Sequence, residues 1–114
     1  MLNILPSVFF IMFGANVEMA QMSHGDLKME LTDLSYDLSE SLDGMSVDDD
    51  AILMSKKSIT LLAELKRRNK LKSEDESMIV SIDSKIRTKD LSKDDVNRLL
   101  KTVNTYSYHR AKSR

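Results

Sequence analysis

The chain has 114 residues and a net charge of −1, with 41% hydrophobic and 31% charged residues, three glycines, one proline and no cysteine. This composition fits a single globular domain, and it excludes disulfides, thiolate metal sites and cysteine nucleophiles. Because residues that make tight turns are scarce, it favours helices over a β-sandwich or a barrel.

The small net charge hides two halves of opposite sign. Up to Ser55 the chain has one base against ten acids, and from Lys56 onward it has 16 bases against 8 acids. Exposed ion pairs contribute only about 0 to 1 kcal/mol each, so we expect this pattern to select partners or fix orientation rather than to hold the fold.

An apolar segment, residues 1–22, opens the chain. It contains all three phenylalanines, Phe9, Phe10 and Phe13, and no basic residue. A secretory signal needs a cationic start and small residues before the cut, and a membrane span needs about 20 mostly apolar residues. The segment lacks those cations, and several polar residues interrupt it. We therefore interpret it as an interaction segment that is buried in protein, with a weak signal or membrane anchor as the alternative.

A repeated pattern, Ser-x-x-Asp/Glu, indicates where helices begin. The serine oxygen can accept from a free first-turn amide, while the acid reaches back to the amide of the capping residue. The pattern occurs four times and predicts helix starts at Ser23, Ser46, Ser73 and Ser92.

The first predicted helix runs from about Ser23 to Asp43, and Gly44 is expected to supply the left-handed residue that commonly ends a helix. Within this helix, residues at steps of three and four form two stripes along its surface. The leucine stripe is Leu27, Leu31, Leu34, Leu38 and Leu42. The acidic stripe is Asp26, Glu30, Asp33, Asp37 and Glu40. Such a pair of stripes suits docking on a basic, apolar partner, and it equally suits the outer face of a monomeric bundle.

Three more helices are predicted, over about 47–69, 74–87 and 93–106, each with an apolar face. The run "MIVSIDSKI", residues 78–86, could instead form a short strand, because it contains β-branched residues and serines. The predicted fold class is all-α: a small antiparallel helical bundle of about four helices, over residues 23–106, preceded by the apolar N-terminal segment. Residues 107–114 form a basic C-terminal tail.

A basic cluster ends the second predicted helix. It consists of Lys66, Arg67, Arg68, Lys70 and Lys72. Such a cluster can neutralise nucleic-acid phosphates, and it also suits the negative end of a helix. Because the domain as a whole is not basic, nucleic-acid binding is the less favoured interpretation.

Residues for catalysis or metal binding are few. The two histidines, His24 and His109, form no ligand cluster, and no phosphate-binding loop or nucleophile motif is present. We therefore expect no enzymatic activity, no cofactor and no metal. The sequence predicts a helical interaction protein that acts as a subunit, adaptor or assembly factor. Its phenylalanines would anchor a protein partner or a second copy, and its acidic stripe would select that partner. A cytoplasmic location or a place within a larger assembly is favoured over membrane association or export.

Overall fold

The computed structural model describes residues 19–108, and every regular element in that range is helical. Residues 19–21 are helical, and four helices follow: α1 (His24–Ser41), α2 (Asp49–Arg67), α3 (Ser73–Arg87) and α4 (Lys93–Tyr106). The predicted all-α bundle is confirmed. The alternative strand over residues 78–86 is wrong, because all of those residues lie within α3. Most of the apolar segment and of the basic tail, including Phe9, Phe10 and Phe13, lies outside the described residues.

The leucine stripe of α1 forms the centre of the core. Helix α1 packs against α2 and α4, and α2 also packs against α3 and α4. Four stripe leucines are buried: Leu27, Leu31, Leu34 and Leu38. At about 1.5 to 3 kcal/mol for each buried leucine, they contribute roughly 6 to 12 kcal/mol, which is comparable to the net stability of a whole domain. Rotating α1 about its axis would therefore be prohibitively costly.

The other helices complete the core along the predicted apolar faces. Their buried residues include Ile59, Leu61, Leu62 and Leu65 from α2, Ile79 and Ile82 from α3, and Val96, Leu99 and Val103 from α4. Ala63 of α2, although apolar, is exposed. The buried face of α2 is centred on Leu62 and Leu65, which lie on either side of Ala63 in the sequence.

Two of the four predicted helix starts are confirmed. The Ser23 hydroxyl accepts from the Asp26 amide at 3.0 Å. Ser92 forms a complete capping box with Asp95, whose carboxylate accepts from the Ser92 amide at 3.0 Å. At both positions the serine immediately precedes the helix, so the local pattern and the fold agree.

The starts predicted at Ser46 and Ser73 are wrong. Helix α2 is capped by Asp48, whose carboxylate accepts from the Ala51 amide at 2.9 Å and so takes the role assigned to Ser46. Ser73 is already inside α3, and its N-cap is Lys72, which makes no capping side-chain bond. The Lys72 amide donates instead to the Tyr106 hydroxyl at 3.0 Å, so a contact with α4 holds this helix end.

The predicted helix end at Gly44 is also wrong. Helix α1 ends at Ser41, and its C-cap Leu42 has φ −79°. The amides of Leu42 and Asp43 donate to the carbonyls of Ser39 and Glu40, both at 3.1 Å. The left-handed residues are Asn69 and Lys89, with φ of 60° and 61°. At each, the next residue donates its amide to the carbonyl five positions back, which satisfies a free carbonyl of the helix end.

The left-handed conformation of Lys89 predicts a stabilising substitution. Lys89→Gly should raise the free energy of unfolding by about 0.5 to 1 kcal/mol, because glycine adopts this backbone without the Cβ clash. Asn69→Gly should raise the free energy of unfolding by less, because asparagine tolerates the left-handed conformation. Urea unfolding of both variants, with Lys89→Ala as the control that keeps the clash, measures the effect. A stability gain in Lys89→Ala equal to that in Lys89→Gly would contradict the backbone explanation.

A buried hydroxyl without a hydrogen-bond partner in α2 leads to a prediction about two serine substitutions. Ser55 and Ser58 are both fully buried, but the Ser58 hydroxyl donates to the Met54 carbonyl at 2.8 Å, whereas the Ser55 hydroxyl has no partner within the described residues. Because a buried unpaired polar group is destabilising, Ser55→Ala should be more stable than Ser58→Ala by about 1 kcal/mol. Thermal and urea unfolding of the two variants test this, and the opposite order would mean that Ser55 is hydrogen-bonded.

Candidate protein-binding groove

The acidic stripe of α1 lies on the surface. All five of its residues are exposed. Asp26, Glu30, Asp33 and Asp37 each directly precede a buried leucine, which on a helix places them about 100° around the axis from the core face. Within residues 19–108, none of the five forms an ion pair. The buried leucines thus determine which way the acids face.

Part of the acidic stripe borders a groove between α1 and α2. The groove has a volume of about 370 Å³. Its apolar lining is Met19, Met22, Leu34, Met54 and Leu61, and its charged lining is Glu30, Asp33, Asp37 and Lys57. Leu34 and Leu61 are almost completely buried, whereas the three methionines are half-buried and provide most of the accessible apolar surface.

A second depression continues the groove toward the carboxyl end of α1. It shares Asp37 and Met54 with the first and adds Glu40, Asp48 and Asp50. We call the two together the acidic groove. Of residues 19–108, six with carboxylates and one with a cation, Lys57, line it. The structure therefore brings together four of the five acids predicted as partner-binding, and Asp26 is not among the lining residues.

An arginine from the end of α2 fixes one end of the acidic groove. The Arg68 guanidinium donates to the carbonyls of Met19 and Met22, at 2.7 and 2.8 Å, and to the Glu64 carboxylate at 2.7 Å. The Met19 carbonyl also accepts from the Met22 amide at 3.0 Å, so Arg68 binds both ends of this single turn. The Arg68 side chain is 16% exposed and that of Glu64 only 4%. This contact, the Arg68 anchor, holds Met19 and Met22, two of the three methionines that line the groove.

The Glu64 carboxylate stays ionised beneath the Arg68 anchor. Hydrogen bonding from Arg67 lowers the pKa of Glu64 most, burial acts in the opposite direction, and hydrogen bonding from Arg68 lowers it further. A carboxylate whose pKa is lowered by folding stabilises the folded state at pH values above its ordinary pKa. That contribution is lost as the pH falls through the pKa of the folded state. Acid should therefore weaken the anchor.

The residues of the basic cluster have different roles in the structure. Arg68 is turned inward to the anchor, and Arg67, although its side chain is 61% exposed, bonds Glu64 through two nitrogens. The three lysines of the cluster, Lys66, Lys70 and Lys72, are exposed. Glu64 thus binds both arginines of the basic cluster, while its three lysines remain exposed, and the nucleic-acid interpretation stays a prediction.

Sequence patterns contain part of the signal for the α2 side of the groove. Met54, Lys57 and Leu61 follow each other at steps of three and four residues, which is the spacing of one helix edge. The acids at 48–50 were recognisable as a first-turn cluster. The pairing of this edge with the acidic stripe of α1, and the role of Arg68, depend on tertiary contacts.

Other kinds of site find little support in the part of the chain that the structure describes. Across residues 19–108 no group of three histidine or acidic side chains is placed to hold a metal ion. No helix in the same range is long and apolar enough to cross a membrane. Comparisons with models of known protein families, with curated proteins and with solved structures found no match to this chain.

The Arg68 anchor predicts different effects at two adjacent arginines. Arg68→Gln should lower the free energy of unfolding by about 2 kcal/mol, because charge-assisted bonds to a buried carboxylate and two carbonyls are lost. It should also speed hydrogen exchange at residues 19–22. Arg67→Gln, the matched control, also loses bonds to Glu64 but keeps those from Arg68 to the two carbonyls, so it should leave hydrogen exchange at residues 19–22 nearly unchanged. Urea unfolding and hydrogen-exchange mass spectrometry measure the two effects, and equal behaviour of the variants would contradict the anchor.

Proposed function

We propose that the protein is a non-enzymatic helical interaction protein that acts as a subunit, adaptor or assembly factor of a larger complex. The acidic groove is its partner-binding surface, and the phenylalanines of the apolar segment are additional anchors. The single observation that supports this most is the groove itself: an accessible methionine surface bordered by carboxylates that make no ion pair within residues 19–108.

The physical chemistry of the groove favours protein binding over chemistry on a small molecule. Exposed, unpaired carboxylates contribute little to the fold, and like charges on one surface repel each other. Aligned beside apolar side chains, such charges can instead steer and orient a partner of opposite charge. Methionines suit this role because the flexible thioether adapts to the shape of the bound surface.

The apolar segment fits the same function. Three phenylalanines within five residues provide a hydrophobic contribution of roughly 5 to 9 kcal/mol when they are buried. The Arg68 anchor fixes the chain at Met19 and Met22, next to the acidic groove. An anchor segment that enters the folded domain beside the charged surface would allow both to contact one partner.

Affinity capture from the native source, with the full chain as bait, tests the proposal. Two charge variants have equal net charge. The groove variant is Glu30→Gln/Asp33→Asn/Asp37→Asn. The control variant, with exposed acids outside the groove, is Glu74→Gln/Asp90→Asn/Asp94→Asn. A third variant replaces the anchors, Phe9, Phe10 and Phe13, with serine.

We expect one protein to be recovered in near-stoichiometric amount with the wild-type and control baits, and at least several-fold less with the groove and phenylalanine variants. Quantitative mass spectrometry measures the recovery, and circular dichroism verifies that all baits fold. Recovery of the same proteins with all four baits, or of none with any, would refute the proposed function.

A further inference from the structure

We propose, resting on the proposed function, that the acidic groove binds a cationic amphipathic helix of a partner protein. The acids that border the first part of the groove, Glu30, Asp33 and Asp37, follow α1 at steps of three and four residues. A helix lying alongside α1 presents its own side chains at the same steps. Lysines or arginines at that spacing can therefore meet the acids in register.

The negative charge of the acidic groove favours a positively charged partner. Among the described residues, six carboxylates and one cation, Lys57, line the acidic groove, so an acidic or neutral helix would leave uncompensated like charges in the interface. Opposite charges speed encounter and discriminate against wrong partners, even where each exposed pair adds little affinity. The apolar side of the partner helix has its own binding surface on Met19, Met22 and Met54.

The dimensions of the groove set the length of the bound helix. The carboxylates from Glu30 to Glu40 span ten residues of α1, which at 1.5 Å per residue is about 15 Å. A partner helix of about three turns covers this distance. Apolar residues at positions i, i+3 or i+4, and i+7 would contact the methionines, with basic residues on the flank that faces α1.

Segments of this chain fit the groove less well. Residues 1–18 contain no base and one acid, Glu18, so their charge does not complement the carboxylates. Residues 109–114 are mostly basic or polar, with Ala111 as their single apolar residue, so they offer no apolar face to the methionines. In the basic cluster, Glu64 already engages both arginines.

Designed peptides test the inference with the full chain. The probe is a fluorescent 18-residue peptide of leucine and lysine, with the leucines at i, i+3, i+4 and i+7. One control replaces every lysine with glutamate, and another scrambles the same residues so that no apolar face remains. Fluorescence anisotropy gives the affinities for the wild type, the groove variant and the control variant, and sedimentation of the chain alone detects self-association.

We expect the leucine–lysine peptide to bind the wild type, the glutamate peptide not to bind, and the scrambled peptide to bind at least tenfold more weakly. The groove variant should lose about tenfold in affinity, as expected for three exposed ion pairs, while the control variant changes less than twofold. Equal losses in the two variants, or equal affinity for the scrambled peptide, would overturn the inference by indicating attraction to net charge alone. Dimers of the chain that the groove variant abolishes would also overturn it, because a second copy would then occupy the groove.

The two proposals fail separately. If affinity capture recovers a partner through the phenylalanines but the groove variant has no effect there and the peptide does not bind, the cationic-helix inference is wrong and the interaction function stands. If the peptide binds as expected but no bait recovers a partner, the groove has the inferred chemistry and the proposed function is wrong.

Discussion

The burial of the leucine stripe of α1 is the constraint on which the rest of the structure depends. Leu27, Leu31 and Leu38 are fully buried in the core that α1 shares with α2 and α4, so they set the rotation of α1. The acids beside them in the sequence must then face outward, whatever else the chain does. The same packing brings α2 next to the acidic stripe and closes the second side of the groove. One stripe therefore serves stability, and its neighbour remains available for recognition.

The Arg68 anchor links this fold to the apolar segment. Its guanidinium connects a buried carboxylate on α2 to two carbonyls that lie more than 40 residues earlier in the chain. Such an ion pair carries a desolvation cost, and removing one partner leaves the other charge buried. Its value here lies in geometry, because it places Met19 and Met22 at the end of the acidic groove. The segment that contains the phenylalanines thus enters the domain at a fixed point beside the proposed binding surface.

Features that depend on local spacing could be predicted from the sequence. The predictions were wrong or missing where two neighbouring residues could both end a helix, or where distant segments contact each other. The leucine and acidic stripes follow directly from helical periodicity, and Ser23 and Ser92 cap helices as their neighbours indicate. Gly44 does not end α1, because the chain closes the helix two residues earlier at Leu42. Which edge of α2 would face the acidic stripe could not be read from periodicity, since that depends on how the helices pack. The contacts of Arg68 were hidden for the same reason, and its basic neighbours suggested a phosphate-binding cluster instead.

A cationic helix bound in the acidic groove should contact its methionines and its carboxylates together. Methyl NMR spectra of the full chain with labelled methionines, recorded during titration with the leucine–lysine peptide, test it most directly. We expect the methyl signals of Met19, Met22 and Met54 to shift together with one affinity, while those of Met45 and Met78, which do not line the groove, stay in place. Shifts at Met45 and Met78 as large as those at Met19, Met22 and Met54, or no shift at any of the three groove methionines, would contradict it.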